Sequence, residues 1–211
     1  MENRHKVYNL IILDESGSMQ EIKNETISGF NEIVQTIKGA EQDFPDQEHF
    51  ISFITFNGRG IKSHLFNKPV SSIKEIDQEI YQPDSNTPLY DAMGQGINDL
   101  KTALKDENDY NVLVTVFTDG LENASKEYNN NAIKALVEEM KEKNWTFTYI
   151  GADHDVEGFS VSISIDNVHR FKKGKQHMKE VFDRERDYRV RFYRNVHEKK
   201  DVKKDFFKDE E

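Results

Sequence analysis

The chain has 211 residues, 36% of them hydrophobic and 32% charged, with a formal net charge of −10 and a mean hydropathy of −0.81. That length suits one domain with a substantial core, or one domain and a tail, and no apolar run approaches the roughly 18 residues of a membrane-spanning helix. The absence of cysteine excludes disulfides and thiol chemistry, and Met1–Lys6 lacks the apolar stretch of a secretion signal, so a cytoplasmic location is expected.

Charge is unevenly spread. Residues 1–169 carry 14 basic and 29 acidic groups, whereas residues 170–211 carry 15 basic and 10 acidic ones. An acidic body argues against general nucleic-acid binding, because phosphate contacts need a basic surface. The basic C-terminal segment reads more simply as a solvated helical face than as a contact surface.

Strand and helix patterns alternate along the chain, the mark of an α/β fold with a mostly parallel sheet. Val7–Leu13 is continuously apolar, as a strand covered on both faces requires. Ile22, Ile27, Phe30, Val34 and Ile37 recur at helical spacing over 19–38, with Gly39 as the expected stop. Phe50–Phe56 reads as a second strand, Asn57-Gly58 as a tight turn and Ile61–Phe66 as a short antiparallel edge strand.

A short helix is expected near 72–81. After the loop 82–86, Thr87-Pro88 opens a helix reaching about Leu104, Pro88 suiting a first helical position whose amide has no partner anyway. Asn111–Phe117 is a further buried strand ending in Thr118-Asp119-Gly120. Residues 132–143 form an amphipathic helix, 145–150 a fifth strand, 156–160 a weak helix or turn and 168–171 a last short strand. These define an expected domain over 1–174, doubly wound, with helices on both faces and one antiparallel edge strand. Residues 175–211 are expected as a basic helix, docked on the sheet, followed by a tail that frays beyond His197 for want of apolar residues.

Chemistry concentrates behind the first strand, in Asp14-Glu15-Ser16-Gly17-Ser18. Asp14, Ser16 and Ser18 offer three oxygens from one short loop, and a hard divalent cation wants oxygen ligands in near-octahedral array. No thiol or imidazole accompanies them, so Mg²⁺ is the expected ion, with Mn²⁺ or Ca²⁺ as alternatives. Gly17 lets the loop turn tightly. The bland alternative is that Ser16 or Ser18 caps the following helix. Open parallel sheets bind ligands where strand order reverses, beyond the carboxyl ends of two central strands. In the usual doubly wound order the strands ending at Asp14 and Asp119 are neighbours, and Thr87 is a further hydroxyl within this geometry's reach.

The set Asp14-x-Ser16-x-Ser18, Thr87 and Asp119 resembles the metal-ion-dependent adhesion site of the von Willebrand factor A domain family. Asp14–Met19 and Thr87–Ala92 are similar to its bacterial and intracellular branch, over roughly residues 5–171. The resemblance implies a Rossmann-like fold in which Ser16, Ser18 and Thr87 ligate the cation directly and Asp14 and Asp119 act close by, often through water. Gly17 and Gly120 would support the loops. Asp91, one turn into the helix after Thr87, either complements the helix dipole or orients metal-bound water. The position left open on the ion would be filled by an Asp or Glu of a partner protein, in a stress-response or complex-assembly system. No enzyme activity, nucleic acid or membrane is implied.

Two rivals remain. Asp14 beside Mg²⁺ could accept a phosphoryl group, and Asp153-His154-Asp155 is faintly similar to the aspartate pair of haloacid-dehalogenase-type phosphatases, though Glu157 stands where that motif wants Thr or Val. Against catalysis, no phosphate-binding Gly-x-x-x-x-Gly-Lys stretch, Gly-x-Ser-x-Gly elbow or His-Glu-x-x-His helix occurs, and none of the 7 histidines falls in the motifs. Alternatively the ion is structural and the basic C-terminal helix is the contact surface.

Overall fold

The structure is a computed structural model and describes residues 4–152 and 155–208. Among the described residues six strands form one sheet: β1 (His5–Asp14), β2 (Gln47–Asn57), β3 (Gly60–Pro69), β4 (Tyr110–Thr118), β5 (Trp145–Ala152) and β6 (Asn167–Phe171). Their order is β3-β2-β1-β4-β5-β6. All neighbours are parallel except β2 and β3, which pair antiparallel. Among the described residues five α-helices accompany them: α1 (Lys23–Asp43), α2 (Leu89–Ala103), α3 (Asn130–Lys141), α4 (Val156–Ser162) and α5 (Lys175–His197).

The unbroken apolar run of β1 is explained by its central place. Successive side chains point to opposite faces. Val7, Ile11 and Leu13 enter the core beneath α1 and α5, whereas Tyr8, Leu10 and Ile12 enter the core beneath α2 and α3. Strand β4 divides likewise, with Leu113 and Phe117 on the first face and Val112, Val114 and Val116 on the second. The order reverses between β1 and β4, which places their carboxyl ends at the crevice where such sheets bind ligands.

Several local expectations are corrected. Helix α1 continues through Gly39 to Asp43, because a Cβ at Gly39 would meet nothing within 4 Å, so the glycine lies on the open side, and the stop comes instead from Pro45 after Phe44. No helix forms over 72–81. Only a 3₁₀ turn at Val70–Ser72 precedes irregular chain, because the Asn31 side chain of α1 takes both backbone bonds of Ile76, each at 2.9 Å. Strand β3 is longer than expected, and register shifts opposite Phe53 accommodate its ten residues.

The expected fraying after His197 is also corrected. Val202 and Phe206 are buried in the core beneath α1 and α5. The chain returns over the sheet because Thr146 donates to the Val202 carbonyl (3.0 Å), Asn167 donates to that of Lys203 (3.2 Å), and the Phe206 amide donates to Asn167 Oδ1 (2.9 Å). Arg191 holds the Asp205 and Phe206 carbonyls from α5.

Helix α5 packs along α1 and shares its core. At their crossing a Cβ on Gly29 would fall 2.0 Å from the Phe182 ring, so only glycine admits that side chain. Further along, Arg189 is fully buried. It donates to Glu185 Oε1 (2.7 and 2.5 Å), Asn9 Oδ1 (3.1 Å) and Thr115 Oγ1 (2.7 Å). Tyr193 donates to the same Asn9 oxygen at 2.7 Å, and Gln47 donates to the Tyr193 carbonyl at 2.8 Å. The basic residue at 189 is therefore a core residue that ties α5 to β1 and β4.

Breaking one partner of a buried ion pair leaves the other charge uncompensated. Arg189→Met is expected to destabilise the fold by about 3–5 kcal/mol in urea melts, and Glu185→Leu added to it should recover most of that loss.

His49 lies beside this network, its Nε2 3.1 Å from Gln47 Oε1. Burial, then the charges of Arg189, Arg4 and His5, push its pKa down to about 3. The unfolded chain thus binds a proton that the fold refuses, and stability falls as pH drops from the usual histidine value of about 6.5 toward 3. Each pH unit in that window should cost about 1.4 kcal/mol more in the wild type than in His49→Gln. Chemical melts of both proteins at several pH values check this, since every other titrating group is common to them.

Candidate metal centre

Parallel pairing sets Leu13 opposite Phe117, so Asp14 and Thr118 end their strands at the same height. Asp14 is fully buried. Its Oδ1 accepts the Ser16 amide (2.7 Å) and its Oδ2 accepts the Thr118 hydroxyl (2.5 Å). Burial nonetheless pushes the Asp14 carboxyl up to about 7, opposed by those hydrogen bonds and assisted by the nearby Asp119 charge. A carboxylate in that position gains strongly from a cation.

Beyond Asp14 a 3₁₀ turn runs over Gly17–Ile22. Ser16 occupies its N-cap position with no side-chain capping bond, so the hydroxyl faces the site instead of serving the helix. Ser16 Oγ lies 3.2 Å from Ser18 Oγ, and Ser18 Oγ donates to Asp119 Oδ1 at 2.5 Å. Thr87 stands before α2, its amide donating to Asn123 Oδ1 (2.9 Å) while the Asn123 amide returns a bond to the Thr87 carbonyl (3.2 Å). A Cβ built on Gly120 would come within 3.5 Å of both Ser18 Oγ and Thr87 Oγ1. Glycine at 120 therefore keeps a small cradle free between two hydroxyls.

All five residues expected to serve a metal thus meet at one place. Among the described residues no group of three His, Cys, Asp or Glu side chains is arranged to hold a metal. The donor set is instead hydroxyl oxygen with two carboxylates, which suits a hard ion such as Mg²⁺ and offers zinc little. The Gly17 amide donates to the Ser85 carbonyl at 2.9 Å, and a Cβ at this position would make only ordinary contact with that oxygen, at 3.4 Å. Asp91 lies in the first turn of α2, and its carboxylate accepts the amides of Lys126, Glu127 and Tyr128 at 2.8–2.9 Å, anchoring the loop between β4 and α3. Asp155 caps α4 through the Gly158 amide, whereas Asp153 and His154 of the phosphatase-like triplet lie outside the described residues.

The family model for the von Willebrand factor type A domain matches residues 10–184. The chain belongs to this family. Among solved structures, an A domain protein from Catenulispora acidiphila superposes with a TM-score of 0.60 at 13% identity, covering 88% of this chain and 42% of the other. The pilus adhesin SpaC of Lactobacillus rhamnosus GG gives 0.67 at 12% identity, covering 92% and 31%. The vWF domain of the type V pili tip protein Mfa5 from Porphyromonas gingivalis gives 0.60 at 10% identity, covering 96% and 98%. At such identities the likeness speaks for the fold, and this chain spans less than half of the first two structures. No curated protein matches it in sequence. A domains are generally protein-interaction modules, and among the described residues no helix of this one is long and apolar enough to cross a membrane.

Three groups outside the motif complete the site. Glu15 is buried between Asp14 and Ser16. It accepts from Thr55 Oγ1 (2.9 Å), the Gln82 amide (2.7 Å) and Lys62 Nζ (3.1 and 3.3 Å), joining β2, β3 and the loop that leads to Thr87. Tyr81 donates to the Asp14 carbonyl at 2.6 Å, and burial followed by the charges of Asp14, Asp119 and Glu15 drives its phenol well above the usual value. Glu122 accepts the amides of Tyr90, Ala124 and Ser125, bracing the loop after Gly120. No signal in the linear sequence marks Glu15, because its role rests on burial that only the fold reveals.

Glu15→Ala removes the shared acceptor of three segments. It is expected to destabilise the A domain by about 2–4 kcal/mol and to speed hydrogen exchange at the Gln82 amide, while amides in β4 keep their protection.

Proposed function

We propose that this A domain is a metal-dependent protein-binding module that captures an Asp or Glu side chain of a partner, with Ser16, Ser18 and Thr87 holding Mg²⁺ and Asp14 and Asp119 supporting it. When bound, the ion supplies an electron-poor centre with a position for an outside carboxylate, because neutral hydroxyls donate little charge to it. The chain's own residues orient and restrain. Thr118 and the Ser16 amide fix Asp14, Asn123 fixes Thr87, and Glu15 holds the 82–86 loop against the serine loop. The observation that carries the reading is the uncapped Ser16 hydroxyl joined through Ser18 to Asp119, with a glycine cradle beside Thr87. A cytoplasmic setting in a stress-response or assembly system belongs to the same proposal.

Phosphoryl transfer through Asp14 is the poorer reading. That carboxylate is fully buried and each of its oxygens already accepts a hydrogen bond, which makes it a poor nucleophile toward phosphorus. A contact surface on the basic segment is weakened by internal pairing, since Arg186, Lys200 and Lys208 each meet a nearby acid and Arg189 is buried.

Calorimetric titration with millimolar MgCl₂ should show uptake by the wild type and its loss in Ser16→Ala and in Gly120→Ala, whose added methyl fills the cradle without disturbing the apo melting temperature. Partner capture from native lysate should then disappear in EDTA and in both variants. Complexes that persist in chelator would overturn metal-bridged binding, as would Mg²⁺-dependent turnover of a generic phosphatase substrate that Asp14→Ala abolishes.

A further inference from the structure

Lys173 comes from the junction between β6 and α5, within the segment that reads in sequence as solvated and basic. In the fold it reaches the site. Its Nζ lies 2.9 Å from Asp119 Oδ2, and the Asp119 side chain is 0% exposed against 16% for the lysine. The other oxygen, Oδ1, accepts the Ser18 hydroxyl at 2.5 Å. The ammonium therefore stands one carboxylate away from the hydroxyls expected to hold an ion. Other nearby cations are committed elsewhere: Lys62 to Glu15, and Arg59 to Asp84. Among the described residues no second lysine or arginine pairs with Asp14 or Asp119.

We propose that Lys173 is a resident counter-cation of the site, which a divalent ion must displace from Asp119, so that this lysine sets how tightly the ion is held. The inference rests on the metal reading above and names a control on it. A buried carboxylate is costly without a compensating charge, and Lys173 supplies one before any ion arrives. A doubly charged ion held beside the same carboxylate would repel the ammonium strongly at short range in a poorly screened pocket. Its flexible four-carbon stem lets it withdraw toward solvent, which a rigid guanidinium fork would do less readily. Binding of the ion and retention of the lysine at Asp119 thus oppose each other, which is a coupling free energy between two occupants of one carboxylate.

The test uses the full chain and metal alone. Lys173→Met keeps the stem and removes the charge, so titration calorimetry with MgCl₂ or MnCl₂ should give a dissociation constant about tenfold lower than the wild type. The apo variant should also melt below the apo wild type, with the deficit shrinking as metal is added. Combined with Asp119→Asn, the Lys173→Met gain in affinity should vanish. Uptake seen only in the variant supports the proposal in its strongest form. Equal or weaker metal binding by Lys173→Met beside a wild type that binds overturns the role of the lysine and leaves the metal reading standing. Absence of uptake by both proteins overturns the two together.

Discussion

Parallel pairing of β1 with β4, with Leu13 opposite Phe117, carries a buried aspartate and a Thr-Asp pair to the same edge of the sheet from positions far apart in the chain. The two strands hold that register because both of their faces are buried, and a slip of one residue would turn each apolar set to the wrong core. Every other contact of the site is attached to this frame. The serine loop continues β1, the glycine cradle continues β4, and Thr87 is brought in by a loop that hydrogen-bonds to both continuations.

The frame also gathers acids. Asp14, Glu15 and Asp119 all end up buried within one small region, and a fold does not keep three such groups without answering each of them. Asp14 is answered by a hydroxyl and an amide, Glu15 by Lys62 and two neutral donors, and Asp119 by Ser18 and Lys173. The rise of the Asp14 carboxyl to about 7 records that the answer to it is incomplete. In this A domain a lysine from the C-terminal segment takes part in the compensation.

Sequence patterns read the sheet well where residues face two cores, as in β1, β4 and β5, because a continuous apolar run of that length between turn signals fits little besides a strand covered on both sides. The five oxygen-bearing side chains were legible for a similar reason: they lie at strand and helix ends. Glu15 and Thr118 were not, since nothing in a linear reading says which neighbour of a motif residue turns inward. The 72–81 segment misled because its isoleucines imitate a helical face while Asn31 claims the backbone of Ile76. Arg189 and Lys173 misled through composition. A segment with net positive charge reads as solvated, although two of its cations serve buried acids or their surroundings.

The depth at which α5 and the returning chain are embedded has a practical consequence for anyone trimming the protein. Sequence likeness to the family stops at residue 184, midway along α5. A cut there would discard Arg189 and Tyr193, strand the carboxamide of Asn9 on the central strand, and uncover the side chains of β5 and β6 that Val202 and Phe206 shelter. The folding unit is accordingly larger than the region recognisable by descent, and its natural margin lies no earlier than Phe206.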